Sequence, residues 1–300
     1  MSSKRKIWRE IPLYTMLAPA VVLVLVYGYA PMVGIVMAFQ RVLPGRGIFG
    51  SPWVGLDNFA FIVSMPNILQ VLWNTVRIAG LKAVAGVVVP VAVALMLNNV
   101  TSQAFKRTVQ TVIYLPHFLS WVILAGIFVD ILSPSEGVVN LLLRQVGLRP
   151  IYFLGDDKIF PWTMVGTDIW KTFGFGAIVY LAALTDIDPT LYEAAVVDGA
   201  SRRQQTRHVT LPGIAGTIIM LSTLSLGNIL NAGFDQIFNL YSPIVYRTGD
   251  IIDTLVYRIG IVNYQYGVAT AVGLFKSVVS LLLIGLAYKL AAKWADYRVF

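Results

Sequence analysis

The chain has 300 residues, 57% of them hydrophobic and 13% charged, with a mean hydropathy of +0.73. A soluble domain carries about 25% charged residues, so this composition excludes an ordinary soluble globule and indicates an all-α polytopic membrane protein. The absence of cysteine excludes disulfides, thiolate metal sites and a cysteine nucleophile. Two histidines, His117 and His208, do not make a His-rich metal centre, and the net charge of +8 sits at span ends, where topology and anionic lipid account for it better than nucleic acid does.

At the N-terminus Lys4, Arg5, Lys6 and Arg9 precede an apolar run from Leu13 to Phe39. That run exceeds the roughly 7–15 residues of a signal-peptide h-region, and no small-residue cleavage site follows it, so it reads as an uncleaved first transmembrane helix. Five more runs reach the roughly 20 residues needed to cross a hydrocarbon core. The six limits are 13–39, 72–99, 108–132, 161–185, 213–235 and 267–291. Open backbone does not survive in lipid, which makes each run a helix. No internal repeat or separate soluble domain interrupts them, so residues 1–300 read as a single transmembrane domain. Pro90 and Pro116 are expected to kink or end their helices.

Lys/Arg excess marks the cytoplasmic side. Twelve Lys/Arg fall in the tail before residue 13, the loops 100–107 and 186–212 and the end from Lys289, against eight, counting Arg77, in the longer remaining loops. Both termini and the 186–212 loop are therefore expected in the cytoplasm. The loops at about 41–71, 133–160 and 236–266 are expected outside; they are rich in turn formers and interfacial aromatics such as Trp53 and Trp162.

The 186–212 loop is polar and helix-forming. Asp188–Pro189 supplies an N-cap and a proline at the first helical position. Gly199 suits the left-handed residue that ends that short helix. Ser201 with Gln204 makes a capping box for a second helix, which Leu211–Pro212 is expected to stop before span five. Ala194, Ala195, Gly199 and Ala200 form a small patch edged by Glu193 and Asp198. Such a knob is suited to a cleft in a partner; the alternative is a solvated connector whose arginines only obey the charge rule.

The loop's pattern is Glu193-Ala194-Ala195, three residues, Gly199, nine residues, Val209, one residue, Leu211-Pro212. It resembles the EAA loop of binding-protein-dependent type I ABC importer permeases, with valine where isoleucine is usual. Ser51-Pro52-Trp53-Val54-Gly55-Leu56 resembles their first outer loop. Gly233–Leu240 and Asp250–Thr254 resemble the branch that handles oligosaccharides and polysaccharide fragments. The resemblance implies a type I importer permease fold and a partnership with a second, different permease subunit, two copies of a cytoplasmic ATPase and an extracellular solute-binding protein. ATP and magnesium would bind in the ATPase. This chain would bind no cofactor and no metal, would have no catalytic residue, and would couple to the ATPase through Glu193, Ala194, Ala195, Asp198, Gly199, Ala200, Leu211 and Pro212. No Gly-x-x-x-x-Gly-Lys-[Ser/Thr] phosphate loop occurs in the chain.

Polar groups within spans are costly and face protein or a wet cavity. Asp168 and Lys171 share one helical face, where they either line a substrate path with Trp170 or neutralise each other as a structural pair. Lys82 reads as a lysine snorkelling toward the interface, while the deeper Lys276 meets a carboxylate of another helix. Asn228, Asn231 and Asp235 fall at about helical spacing in span five. With Tyr180 or Trp170 the two amides offer groups suited to sugar; interhelical hydrogen bonding is the alternative. A secondary transporter or channel working without an ATPase would require coupling-ion sites on broken helices, and Asp168 is the one carboxylate deep in a predicted span.

Overall fold

The computed structural model describes residues 3–227 and 229–294. Among these the chain is almost wholly helical, with one antiparallel bridge between Gln40 and Trp53. It divides into two compact units: one runs to Met65 and includes Val256–Phe275, the other takes in Pro66–Leu255 and continues from Lys276.

In the first unit the apolar helix Ile11–Phe39 is 29 residues long. Its winding changes along its length, from α over Ser3–Val24 to a π turn at Leu25–Tyr29 and a 3-10 stretch at Ala30–Phe39. The change falls next to Pro31, which has no N–H to continue the α ladder. None of the helix's most apolar window is buried within the chain, as fits a helix surrounded by lipid or another subunit. Its end is anchored. Phe39 stacks on Trp53 at 5.6 Å, and Asn58 Nδ2 donates to the carbonyls of Ala38 at 2.8 Å and Gln40 at 3.0 Å. Those bonds satisfy acceptors that a helix terminus leaves open.

The second unit is built on two long helices packed side by side, Ile68–Asn98 and Phe160–Thr185. One buried cluster joins Ile78, Phe160, Met164 and Ile237; another joins Ala94, Ala177, Tyr180, Leu184 and Ile214. Gly174 permits a backbone crossing, since a Cβ there would lie 2.1 Å from the Ile113 carbonyl oxygen. Small residues at such crossings let membrane helices approach closely.

Among the described residues three helices are long and apolar enough to cross a membrane: Ile11–Phe39, Ile68–Asn98 and Tyr266–Leu286. They match the runs expected at 13–39, 72–99 and 267–291. The run at 161–185 is also one continuous helix, but Asp168, Lys171 and its glycines and threonines lower its apolarity. One face of it is covered by protein, with ten residues buried from Phe160 to Leu184.

Two expected spans are not single helices. The run at 108–132 is a pair, Gln103–Phe118 and Trp121–Ile131, bent by 105°. Pro116 sits in the 3-10 turn Leu115–Phe118, the chain extends at Leu119, and Ser120 caps the next helix by accepting from the Ile123 amide. In the run at 213–235 the helix Ala215–Gly227 ends early, and helix begins again only at Phe234–Leu240. Gly233 has φ +91°, which stops any straight continuation.

Candidate functional site

The 186–212 elbow is fixed by its own short-range bonds. Asp188 Oδ1 accepts from the Thr190 amide at 2.9 Å and opens the helix Pro189–Val197. That bond holds the Asp188 carboxyl below its ordinary pKa. The helix ends in a Schellman motif: Gly199, at φ +75°, donates to the Val196 carbonyl, and Ala200 donates to that of Ala195. Ser201 and Gln204 then form both halves of a capping box. Tyr192 Oη and Thr210 Oγ1 meet at 3.0 Å and tie the two arms together.

The second arm ends at Gly213, one residue beyond the stop expected at Leu211–Pro212. Helix Arg202–Gln205 passes into a π turn at Thr206–Thr210 and goes on through Leu211–Gly213 before a 57° bend. A wider turn absorbs the N–H that Pro212 lacks. Leu211 packs against the Ile214 cluster, while Pro212 is exposed.

Glu193, Ala194, Asp198 and Gly199 are exposed; Ala195 and Ala200 are half-buried. Beside them Leu191, Val196 and Val197 stand open, Val197 at 87% exposure. The sequence reading concentrated on the alanines and missed these aliphatic residues, although three apolar side chains next to Glu193 and Asp198 were a visible signal. An apolar knob ringed by charge on a polar loop is the form of a docking element.

The in-span charges are arranged differently from their expected pairing. Asp168 does not pair with Lys171. It lies 3.4 Å from Lys82 Nζ, and the two side chains are 23% and 10% exposed. Lys82 therefore does not snorkel. It also donates to the Ala232 carbonyl at 2.7 Å and to Gln236 Oε1. Gln236 is fully buried, and its Nε2 donates to the Met164 carbonyl and Thr167 Oγ1, both at 2.7 Å. Lys171 instead donates to the carbonyls of His117 at 2.8 Å and Leu119 at 2.7 Å and lies over the Trp121 ring. Lys276 does meet a carboxylate, that of Asp253.

A helix break in a membrane frees backbone carbonyls that must find donors. Each break here faces a lysine projected from an intact helix: Lys171 for the break at Pro116 and Lys82 for the break before Phe234. In secondary transporters such carbonyls bind coupling ions; in this chain ammonium groups occupy them. The sequence reading missed Gln236, though an amide within an apolar stretch was its signal.

The other path candidates are scattered. Trp170 is 45% exposed and meets Phe128 edge-on at 5.5 Å. Tyr180, at 2% exposure, belongs to the Ile214 cluster. Asn231 and Asp235 are exposed on either side of Gly233, so the helical spacing expected for them is absent. Asn228 lies outside the described residues.

The family described as binding-protein-dependent transport system inner membrane component matches residues 86–296. The chain belongs to that family of transport permeases. The permease is 39% identical to the polygalacturonan/rhamnogalacturonan transport system permease protein YteP of Bacillus subtilis, over 98% of this chain and 92% of that one. It superposes with a TM-score of 0.89 on a crystal structure of a bacterial ABC transporter involved in the import of the acidic polysaccharide alginate, at 41% identity, covering 97% of this chain and 98% of that one. It superposes at 0.88, with 40% identity and 96% of each chain covered, on the bacterial alginate ABC transporter in complex with an alginate pentasaccharide-bound periplasmic protein. The permease is thus a multi-pass cell-membrane protein with the fold of ABC importer permeases, and its family is one of transport subunits.

Proposed function

We propose that this permease is one of two subunits forming the alternating-access path of an ATP-driven importer for oligosaccharides or polysaccharide fragments, those built of uronic acids foremost. The substrate class is supported by the relatives, which handle polygalacturonan, rhamnogalacturonan and alginate. In this reading the chain crosses the membrane six times, counting each bent pair as one span, with both termini and the elbow in the cytoplasm. Its partners are a second, different permease, two ATPase copies that hold the ATP and magnesium, and an extracellular solute-binding protein. The chain itself binds no cofactor.

One observation carries the coupling role: the exposed Glu193–Gly199 knob is closed by a Schellman turn and a capping box and is therefore presented as a rigid unit. Glu193 would pair with a base in a groove of the ATPase, and the small residues through Ala200 would let the backbones approach. To test it, the chain is expressed with its partner subunits, and ATPase retention and ATP-dependent uptake of trigalacturonate are measured for Glu193→Lys and Gly199→Leu. Loss of docking or of uptake, with the membrane assembly intact, is the expected outcome. Undiminished uptake in both variants would remove the coupling assignment.

A further inference from the structure

The short helix Val138–Gln145 takes no part in the elbow or in the lysine-capped breaks, and its apolar arc faces away from the protein. At about 100° per residue, Val138, Leu141, Leu142 and Gln145 share one side, and all four are exposed, Leu142 at 57%. Val146, at the end of the helix, widens the apolar arc at 71% exposure. The opposite side meets the rest of the chain through the fully buried Asn140 and the half-buried Val139 and Leu143. A helix in water turns its apolar arc inward instead.

Polar bonds fix the level at which this helix sits. Asn140 Nδ2 donates to the carbonyls of Ser133 at 2.9 Å and Ile151 at 3.0 Å, and its Oδ1 accepts from the Ile151 amide at 2.7 Å. A Cβ on Gly137 would lie 2.5 Å from the carbonyl oxygens of Ile131 and Ser133, so the helix starts directly against the end of Trp121–Ile131. Two residues past Ile151, the Phe153 carbonyl accepts from Thr163 Oγ1 at 3.2 Å, in the first turn of Phe160–Thr185. The helix is thereby held level with the ends of two span helices. At its own end Gly147, at φ +79°, donates to the Arg144 carbonyl, and Leu148 donates to that of Leu143, which closes it as a rigid unit.

The surroundings at that level select the occupant of the arc. Val122, Ile123 and Val129 are exposed on the adjoining helix, a surface suited to acyl chains. Tyr152 and Trp162 are exposed beside the start of Phe160–Thr185, and amphipathic rings of that kind favour the membrane–water interface. Between Gly137 and Gly155 the only ionised side chains are Arg144 and Arg149. Both are exposed, and Arg144 uses one N–H of its Nη2 on the Pro134 carbonyl at 3.0 Å. Glu136 stands ahead of the first turn, outside this stretch. An apolar arc with guanidinium groups at its margin is the pattern of a helix lying in the headgroup region, where phosphate is the natural acceptor for arginine.

We propose that Val138–Gln145 is an interfacial anchor lying in the headgroup region of the leaflet where the loop 133–160 emerges. Val138, Leu141, Leu142 and Val146 enter the acyl boundary. Arg144 and Arg149 bind phospholipid phosphate and favour anionic headgroups. The occupant is the bilayer itself, so the inference holds for either orientation of the chain and for any transported substrate.

The chain has no cysteine, so single nitroxide labels can be placed on it within the complete importer, assembled with cysteine-free partner subunits in nanodiscs of phosphatidylcholine and phosphatidylglycerol. Labels at Leu142→Cys and Val146→Cys should collide more with oxygen than with a water-soluble nickel chelate, at a depth of about 5–10 Å into the headgroup–acyl boundary. A label at Arg149→Cys should show the reverse, and adding the solute-binding protein should change none of these values. Ready access of nickel at Leu142 overturns the anchor in favour of a solvated loop. Shielding there from both reagents overturns it in favour of a neighbouring subunit, and shielding that appears only with the binding protein assigns the arc to that protein. For the arginines, the Leu142 nitroxide should quench fluorescent-chain phosphatidylglycerol about threefold more than the phosphatidylcholine equivalent. Arg144→Gln/Arg149→Gln should level the two while the label keeps its depth. Equal quenching before substitution, or a preference that survives it, overturns the headgroup contact.

Discussion

The 186–212 elbow and the two broken spans both interrupt a straight transmembrane helix, and they are held in opposite ways. The bonds that cap the elbow's turns join residues no more than five apart, Asp188 to Thr190, Ala200 to Ala195 and Ser201 to Gln204, and a single contact from Tyr192 to Thr210 ties its arms across 18 positions. The breaks are held from far along the chain, Lys82 reaching Ala232 across 150 positions and Lys171 reaching His117 across 54. Water can solvate the elbow's leftover backbone groups, so local caps suffice there. In a membrane the freed carbonyls have no solvent, and only a donor from another helix meets them.

Variants that remove the distant donors should therefore cost most. Lys82→Met leaves Asp168 unpaired and the Ala232 carbonyl and Gln236 without their donor. We expect a loss of about 3–5 kcal/mol, read as a fall in the thermal midpoint of the purified assembly in detergent. The double variant Lys82→Met/Asp168→Leu should fall less, because no lone charge remains; an equal fall would show that the pair is not the seat of the effect. Lys171→Met strips donors from two carbonyls at the Pro116 break, and about 2 kcal/mol should be lost in the same measurement. A midpoint unchanged by either lysine variant would erase the contrast between the two regions.

The elbow should respond locally. Gly199→Leu forces a branched side chain into the left-handed region at a cost of about 1–2 kcal/mol. Amide hydrogen exchange should quicken over residues 189–205 and stay the same in the 160–185 helix. Ser201→Ala should cost about 1 kcal/mol with the same footprint. The smallest effect is that of pH on Asp188. Its carboxyl titrates lower in the folded elbow than in the unfolded chain, so the cap is fully present above the ordinary carboxylate range and is lost as pH falls through the lowered value. Asp188→Asn keeps a capping oxygen and should flatten that dependence; exchange at Thr190 between neutral and acidic pH is the check.

This division also explains what could be read from the residues. Capping chemistry is local, so Asp188, Gly199, Ser201 and Gln204 announced the elbow from spacing alone. Apolar runs gave the helices at 72–99, 161–185 and 267–291 nearly to their ends. Hydropathy averages over a window and does not register a bend, so the runs at 108–132 and 213–235 read as straight although Pro116 and Gly233 lay inside them. Partner choice was least legible. Asp168 and Lys171 share a helix face, and nothing in that spacing shows that Lys82 will take the carboxylate from another helix. At the elbow's end, the proline rule placed a stop at Leu211–Pro212, and the helix ends one residue later, at Gly213, after a π turn.

The helix Ile11–Phe39 has a consequence for assembly in time. It is synthesised before the helices that follow it, and within its own unit it gains cover only at its last turn, where Ala38 is buried. Its insertion is thus decided by its own apolarity, and only contacts with its last turn, among them those of Trp53 and Asn58, hold its rotation about its axis within the first unit. The rest of its surface is left for lipid or a neighbouring subunit to cover, which makes it the part of the molecule completed last.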